Sequence, residues 1–302
     1  MDVPSGYRAC VVGLGSMGMG AALSCVKAGI ATCGIDLSDA RRAEFAAAGA
    51  EAVGASVAEF EGEFDAMIVL VVNAAQARMV LLGETGAATK VKKGGAVMVS
   101  CTQSAEDAKA LAAELEAMGV TMLDAPVSGG AAKAAAGEMT VMASGSQAAF
   151  DALAPVLDAV AVKVYNIGPE IGQGAMVKVI HQLLAGVHIA AGAEAMAMAA
   201  RAGIPLGTMY DVVTNAAGNS WMFENRMKHV VEGDYTPMSA VDIFVKDLGL
   251  VTETGRSLKF PLPLASTAFA MFQEASNMGH GSEDDSAVIK TFSGIELPKK
   301  EG

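Results

Sequence analysis

The sequence is poor in the residues that staple small secreted folds and in those that grip nucleic acid. Only four cysteines occur in 302 residues: Cys10, Cys25, Cys33 and Cys101. All fall in the first third, in or near apolar segments, at spacings that match no zinc template. No disulfide scaffold and no metal site is expected; reduced, buried thiols in a cytoplasmic protein fit instead. Positive charge is also short, with 21 Lys and Arg against 33 Asp and Glu, a net charge of −12. Binding a phosphate backbone needs a basic patch, so no nucleic-acid partner is expected. Small anionic substrates stay open, because single basic groups can sit inside an acidic protein. The opening segment from Met1 to Gly13 lacks a long apolar core and a cleavage pattern, so no secretory leader is expected. The most apolar long stretch, Leu183–Ala200, carries His188 and Glu194. It reads as a buried helix rather than a membrane span, and no membrane partner is expected.

What is abundant is Ala, Gly and Met, in a chain that is 52% hydrophobic and only 18% charged. That composition supports a sizeable core and closely packed helices, and the length suits two domains. Through the first half, short apolar runs alternate with Ala-rich helical stretches. The runs are Ala9–Val12, Thr32–Ile35, Met67–Val72, Ala96–Val99, Met122–Asp124, Thr140–Ala143 and Val162–Tyr165. This rhythm predicts βαβ units and a mostly parallel sheet. A Gly/Pro loop at 167–174 breaks it, and Ala175–Ala202 then runs without proline. One helix of about 28 residues, about 42 Å long, is predicted there. The remainder has helical texture only, broken near Gly203–Pro205, Gly218–Asn219, Gly233–Pro237 and Pro261–Pro263. The predicted architecture is α/β: a Rossmann-type domain over 1–167, the long helix, and an all-α domain over 168–302.

Gly13-Leu14-Gly15-Ser16-Met17-Gly18 is a G-x-G-x-x-G run between the first strand and the first helix. The first glycine permits a tight turn, the second lets backbone approach a pyrophosphate, and the third allows close packing. The helix N-terminus then offers unpaired N–H groups to phosphate. Asp36 ends the second strand, where an acid accepts hydrogen bonds from a ribose 2′-hydroxyl and repels a 2′-phosphate. NAD rather than NADP is the expected cofactor, although Arg41 and Arg42 lie close by. The bland alternative is that Asp36, with Ser38, only caps the next helix.

With these residues stand three further motifs, in order along the chain: Asp124-Ala125-Pro126-Val127-Ser128-Gly129-Gly130, Gly174-Ala175-Met176-Val177-Lys178, and Lys246-Asp247-Leu248. Together the four segments resemble the 3-hydroxyisobutyrate (β-hydroxyacid) dehydrogenase family over nearly the whole chain. The resemblance implies that Ser128, Gly129 and Gly130 bind the substrate, and a Ser-Gly-Gly turn can present a hydroxyl and N–H groups to a carboxylate. It implies that Lys178 is the catalytic lysine. Lys178 lies in an apolar stretch near the domain junction, where partial desolvation would lower its pKa and suit it to proton transfer. Lys246 resembles the family's second lysine, near the nicotinamide end of the cofactor, with Asp247 orienting it or capping a helix. Thr102 matches a threonine in the loop the cofactor passes, although Val99-Ser100-Cys101 replaces the family's usual acid and serine. Asn73, where the family often has Leu-Pro, is a further candidate neighbour of the cofactor.

His181 and Gln182 stand three and four residues after Lys178, so a helix puts all three on one face. Both side chains donate and accept hydrogen bonds, which suits a substrate with several hydroxyls. The alternative for His181 is a core histidine bonded to a backbone carbonyl. The stretches His181–Ala191 and Asn215–Arg226 resemble the branch of the family that oxidises L-threonate, and Asn215, Asn219 and Ser220 add polar groups. The expected activity is NAD-dependent oxidation of L-threonate, or a close four-carbon sugar acid, to a keto acid, in a cleft between the domains. Alternatives are reduction of a small semialdehyde (tartronate, glyoxylate or succinic) and oxidation of 3-hydroxyisobutyrate. A non-catalytic chromatin module would lose Lys178 and carry basic extensions, and an imine reductase usually replaces the lysine. Small residues at Ala185, Ala190, Ala191 and Gly192 predict close helix packing in a homodimer or homotetramer built through the helical domain. Trp221 either lines the cleft or fills the core, and His188 is read as structural or at an interface.

Overall fold

The structure, a computed structural model, describes residues 3–300. Residues 1, 2, 301 and 302, which bound the two expected domains and open the segment read for a leader, lie outside it. The chain forms two compact units that divide between Lys178 and Val179.

Among the described residues of the first unit, nine strands are β1 (Arg8–Val12), β2 (Ala31–Ile35), β3 (Ala52–Gly54), β4 (Phe64–Val69), β5 (Val91–Val99), β6 (Thr121–Asp124), β7 (Val127–Ser128), β8 (Met139–Ser144) and β9 (Ala161–Gly168). They lie in the order β3-β2-β1-β4-β5-β6-β8-β7, with β9 also paired to β8. From β3 to β6 every pairing is parallel. β8 runs antiparallel to β6 and β7 and parallel to β9. The helices α1 (Ser16–Lys27), α2 (Asp39–Ala47), α3 (Ala74–Leu82), α4 (Ala105–Ala117), α5 (Gly130–Ala136) and α6 (Gln147–Val160) connect the strands.

The parallel strands are continuous apolar runs because both faces are covered. Successive residues alternate between two cores. Ala9, Val11, Ile68 and Met98 join residues of α1, α5 and α6 on one side. Cys10, Val12, Met67 and Val97 join residues of α3 and α4 on the other. All four cysteines are buried and none forms a disulfide, and burial pushes the Cys25 thiol up to about 12. At that value the thiol is a small hydrophobe rather than a nucleophile. Among the described residues, no cluster of His, Cys, Asp and Glu could hold a metal ion.

Several details depart from the sequence expectation; β5, for one, begins at Val91 rather than Ala96. Apolar sequence continues through Leu70–Val72, but β4 ends at Val69; Leu70 still donates to the Val12 carbonyl, and then Val72 N–H turns to the Gln76 side chain. β3 and β7, with three and two residues, are too short to show a hydrophobic period.

The helix α7 (Gln173–Arg201) spans 29 residues and crosses the division between the units. It is long and apolar enough to span a membrane by length and composition, but half of its most apolar stretch is buried in the protein. Its apolar residues are spread around the helix, and exposed His181 and Glu194 interrupt them. In the second unit it is joined by α8 (Leu206–Thr214), α9 (Trp221–Glu232), α10 (Val241–Ser257) and α11 (Pro263–Ala275). Their core holds Ile189, Met196, Phe223, Met227, Phe244, Leu248 and Phe272. A Cβ at Gly186 would stand 2.8 Å from Leu248 Cδ2, so α7 and α10 meet closely there. Small residues on α7 serve the chain's own packing: Ala185 and Ala190 are buried, and Gly192 lies against Phe223 and Met227. The fourth of these positions, Ala191, is exposed.

Candidate active site

In the first unit the Gly13–Gly18 run, Asp36, Asn73 and Thr102 follow the carboxyl ends of the parallel strands β1, β2, β4 and β5. The strand order reverses between β1 and β4, and open α/β sheets bind ligands at that switch point. The glycine-rich run follows β1 there. Gly13 has φ +90°, and a Cβ on it would lie 2.8 Å from the Leu70 carbonyl oxygen. A Cβ on Gly18 would collide with the Gly13 carbonyl at 1.7 Å, whereas one on Gly15 meets nothing within 4 Å. The turn is thus closed from within and open at Gly15, the position where backbone must approach a pyrophosphate. Gly15 is the N-cap of α1 and gives no side-chain cap, and the first turn carries no acid. The N–H groups of that turn, including those of Met17 and Gly18, are those an anion would use.

Asp36 is tied into the same turn. One carboxylate oxygen accepts the Leu14 N–H at 2.7 Å and the other the Ser38 N–H at 2.8 Å. Ser38, and not Asp36, caps α2. The two nearby arginines are engaged elsewhere: Arg41 pairs with Glu44 at 2.9 Å, and Arg42 pairs with Asp39 and donates to the Asp36 carbonyl. Asn73 follows β4 and caps α3, its Oδ1 accepting from Gln76 N–H. Thr102 is half-buried between β5 and α4.

Ser128 ends β7 and is half-buried. Gly129 and Gly130 follow at φ +134° and +71°, values that penalise any side chain, so the turn after Ser128 requires both glycines. Lys178 lies six residues into α7 and is 7% exposed.

Asp124, unassigned by the sequence reading although it opens the second motif, fixes the start of α7. It is fully buried at the end of β6. Its Oδ2 accepts the N–H groups of Gly172 at 3.0 Å and Ala175 at 2.9 Å, and the Ser144 hydroxyl at 3.3 Å. Ser144 Oγ in turn accepts the Gly174 N–H. Burial raises the Asp124 carboxyl, and the bonds from Ala175, Gly172 and Ser144 oppose the rise. The only signal for this in sequence is an acid ending an otherwise apolar strand.

In the second unit, His181, Gln182, Asp247 and Lys246 form a connected chain. His181 is exposed and is no core histidine, whereas Gln182 is 8% and Asp247 2% exposed. His181 Nδ1 lies 3.0 Å from Gln182 Oε1. Gln182 Nε2 donates to Asp247 Oδ2 at 2.5 Å, and Lys246 Nζ donates to Asp247 Oδ1 at 2.5 Å. The other polar candidates serve local structure. Asn215 Nδ2 bonds the Asp211 carbonyl, Asn219 Nδ2 bonds Thr214 and Glu224, and Ser220 caps α9. Trp221 is 54% exposed and so is not a core filler.

Comparison with known proteins adds two family models. Residues 8–168 match the NAD binding domain of 6-phosphogluconate dehydrogenase. Residues 172–292 match the model described as NAD-binding of NADP-dependent 3-hydroxyisobutyrate dehydrogenase. A relative named L-threonate dehydrogenase from Haemophilus influenzae is 69% identical, over 97% of this chain and 98% of its own. One of the same name from Escherichia coli K12 is 67% identical over 99% of each. A crystal structure of a protein named 3-hydroxyisobutyrate dehydrogenase, from Salmonella typhimurium, superposes with TM-score 0.91 at 66% identity, covering 95% of this chain and all of that one.

Proposed function

The chain belongs to the 3-hydroxyisobutyrate dehydrogenase family, and within it we propose that this NAD-dependent hydroxy-acid dehydrogenase oxidises L-threonate to a keto acid, with Lys178 as the proton-transfer group. The observation that carries the substrate is end-to-end likeness to relatives named for L-threonate. The polar pair His181 and Gln182, which suits a substrate with several hydroxyls, supports it.

The residues present fit a dinucleotide: a turn closed at Gly13 and Gly18 and open at Gly15, an uncapped α1 N-terminus, and a carboxylate at Asp36. Asp36 would accept from the ribose diol and repel a 2′-phosphate, and with Arg41 and Arg42 already paired the site favours NAD over NADP. Leu14, Ser16, Asn73, Thr102 and Lys246 complete the proposed cofactor contacts. NAD, when bound, takes the hydride from the carbinol carbon. Ser128, Gly129 and Gly130 hold the substrate carboxylate, and His181 and Gln182 meet its further hydroxyls. Lys178, neutral at that moment, accepts the proton of the reacting hydroxyl; in the reverse direction its ammonium returns it. Residues 1–167 serve as the cofactor domain and 168–302 as the substrate and oligomerisation domain. The exposed apolar residues Ile180, Leu184 and Met198 on α7 support a homo-oligomer, which light scattering tests: a monomer refutes it.

A second reading, oxidation of 3-hydroxyisobutyrate, is favoured by the name of the solved relative. The deciding assay follows NADH absorbance with L-threonate, D-threonate, L-serine, 3-hydroxyisobutyrate, glycerate and 4-hydroxybutyrate, each with NAD and NADP. Turnover confined to L-threonate and NAD is expected. Turnover confined to 3-hydroxyisobutyrate refutes the substrate assignment.

A further inference from the structure

The turn at Ser128–Gly130 and the start of α7 hang from one strand. β7 pairs with β8 in the register Ser128 to Thr140, so the turn leaves the sheet beside β8. The first turn of α7 is tied further along the same strand. Ser144, which ends β8 opposite Asp124, accepts the Gly174 N–H at 3.0 Å and donates to Asp124 Oδ2 at 3.3 Å. Asp124 Oδ2 also accepts the N–H groups of Gly172 and Ala175. The N–H groups of Gly174 and Ala175 belong to the opening turn of the helix, where no intrahelical carbonyl can serve them. Gly174 fits closely between the same strand ends: a Cβ there would stand 2.6 Å from the carbonyl oxygens of both Asp124 and Met142. The arrangement is costly. Asp124 is fully buried and, among the described residues, its Oδ1 has no hydrogen-bond partner. A buried carboxylate compensated at one oxygen only disfavours folding, so packing alone does not explain an acid here. Lys178 stands three residues after Ala175, about one helical turn away.

We propose that Asp124 and Ser144 are positioning residues for proton transfer: they seat the first turn of α7 on β6 and β8, so that Lys178 is held at a fixed distance from the Ser128–Gly130 turn carried by the same strand. The inference rests on the reading of Lys178 as the proton-transfer group and of that turn as the carboxylate site, and adds what fixes the gap between them. The span from Thr140 to Ser144 is set by strand geometry, at about 13 Å. A misplacement of about 1 Å can cost about 100-fold in rate. A helix that slips on its seat therefore slows the chemical step while leaving the dinucleotide turn after β1 as it was.

The test is the rate of NADH formation in the first turnover, with L-threonate or whichever acid of the panel is turned over, counted per NAD-binding site so that only folded enzyme is read. Asp124→Ala removes the acceptor, and Gly174→Ala displaces the helix without removing any polar group. Both are expected to slow the first turnover about 100-fold with NAD affinity nearly unchanged. Asp124→Asn keeps an oxygen for Gly172 and Ala175 and should recover at least about tenfold of that loss. A first-turnover rate within about threefold of wild type in Asp124→Ala or Gly174→Ala overturns the proposal. So does no recovery in Asp124→Asn, or NAD affinity that falls in step with the rate. Should those variants fail to fold, Ser144→Ala decides: a loss of about tenfold is expected, and an unchanged rate overturns the proposal. Lys178→Ala is measured beside them. A near-native first turnover there refutes the lysine assignment itself; a dead Lys178→Ala with fast Asp124→Ala and Gly174→Ala refutes the clamp alone.

Discussion

The buried ion pair of the helical unit sets up a stability test whose magnitude changes with pH. Arg226 Nε lies 2.7 Å from Asp285 Oδ1, with side chains 8% and 0% exposed. Burial pushes the Asp285 carboxyl up to about 7, against the pull of Arg226 and with a further rise from Asp284. Its unfolded value is the ordinary one, near 3.8. Between these two values the folded state holds a proton that the unfolded state has lost, so this group's contribution to stability falls as pH rises from about 4 to about 7. The displacement corresponds to roughly 4 kcal/mol over the whole window. Arg226→Met leaves the carboxylate buried and unpaired, which costs about 3–5 kcal/mol once the acid ionises. At pH 5, where Asp285 stays protonated, the same substitution should cost far less. Urea denaturation followed by circular dichroism at pH 5 and pH 8 checks this. Asp285→Asn is the control, because it removes this group's pH dependence and leaves every other carboxyl in place. Equal losses for Arg226→Met at both pH values, or the same pH slope in wild type and Asp285→Asn, would refute the reasoning.

Other expectations follow from single contacts. Lys178→Ala should abolish turnover, with NAD binding by fluorescence titration nearly unchanged; near-native activity would remove the lysine from the mechanism. Asp36→Ala deletes a carboxylate bonded to Leu14 and Ser38 N–H. Charge-assisted bonds of this kind are worth about 1.5–3 kcal/mol each, so NAD affinity should fall at least tenfold and the preference over NADP should narrow. Gly20→Ala places a Cβ 2.5 Å from backbone atoms of Ala134 and Ala135 on α5. Overpacking against backbone should cost about 1–3 kcal/mol, read as a lower Tm. Asp124→Ala frees the N–H groups of Gly172 and Ala175, and should lower kcat more than it weakens NAD binding, because Lys178 rides on the helix they begin.

Much of this was legible in the sequence, for physical reasons that also mark where legibility ends. Parallel strands buried on both faces are unbroken apolar runs, so β1, β2, β5 and β8 show themselves. The G-x-G-x-x-G turn shows itself because no side chain fits at Gly13 or Gly18. The 28-residue expectation for α7 met a helix of 29, since a long stretch without proline has few other outcomes. Strands β3 and β7 were missed because a period cannot appear in two or three residues. Asn215, Asn219 and Ser220 looked like ligand groups, yet residues of these types are also the ones that finish and start helices. Sequence alone weighs the two uses equally.

The limit is sharpest at His181. Helical spacing shows which residues share a face with it, but it cannot say what arrives from another helix. Asp247 stands 65 positions from Gln182 in the chain and reaches it because Gly186, one turn further along α7, lets α10 come close. A Cβ at Gly186 would press on Leu248, the residue next to Asp247. Gly186→Ala should therefore lengthen the Gln182–Asp247 bond without touching either partner. Overpacking against Leu248 should cost about 1–3 kcal/mol, read as a lower Tm, and an unchanged Tm would refute the close approach of the two helices at Gly186.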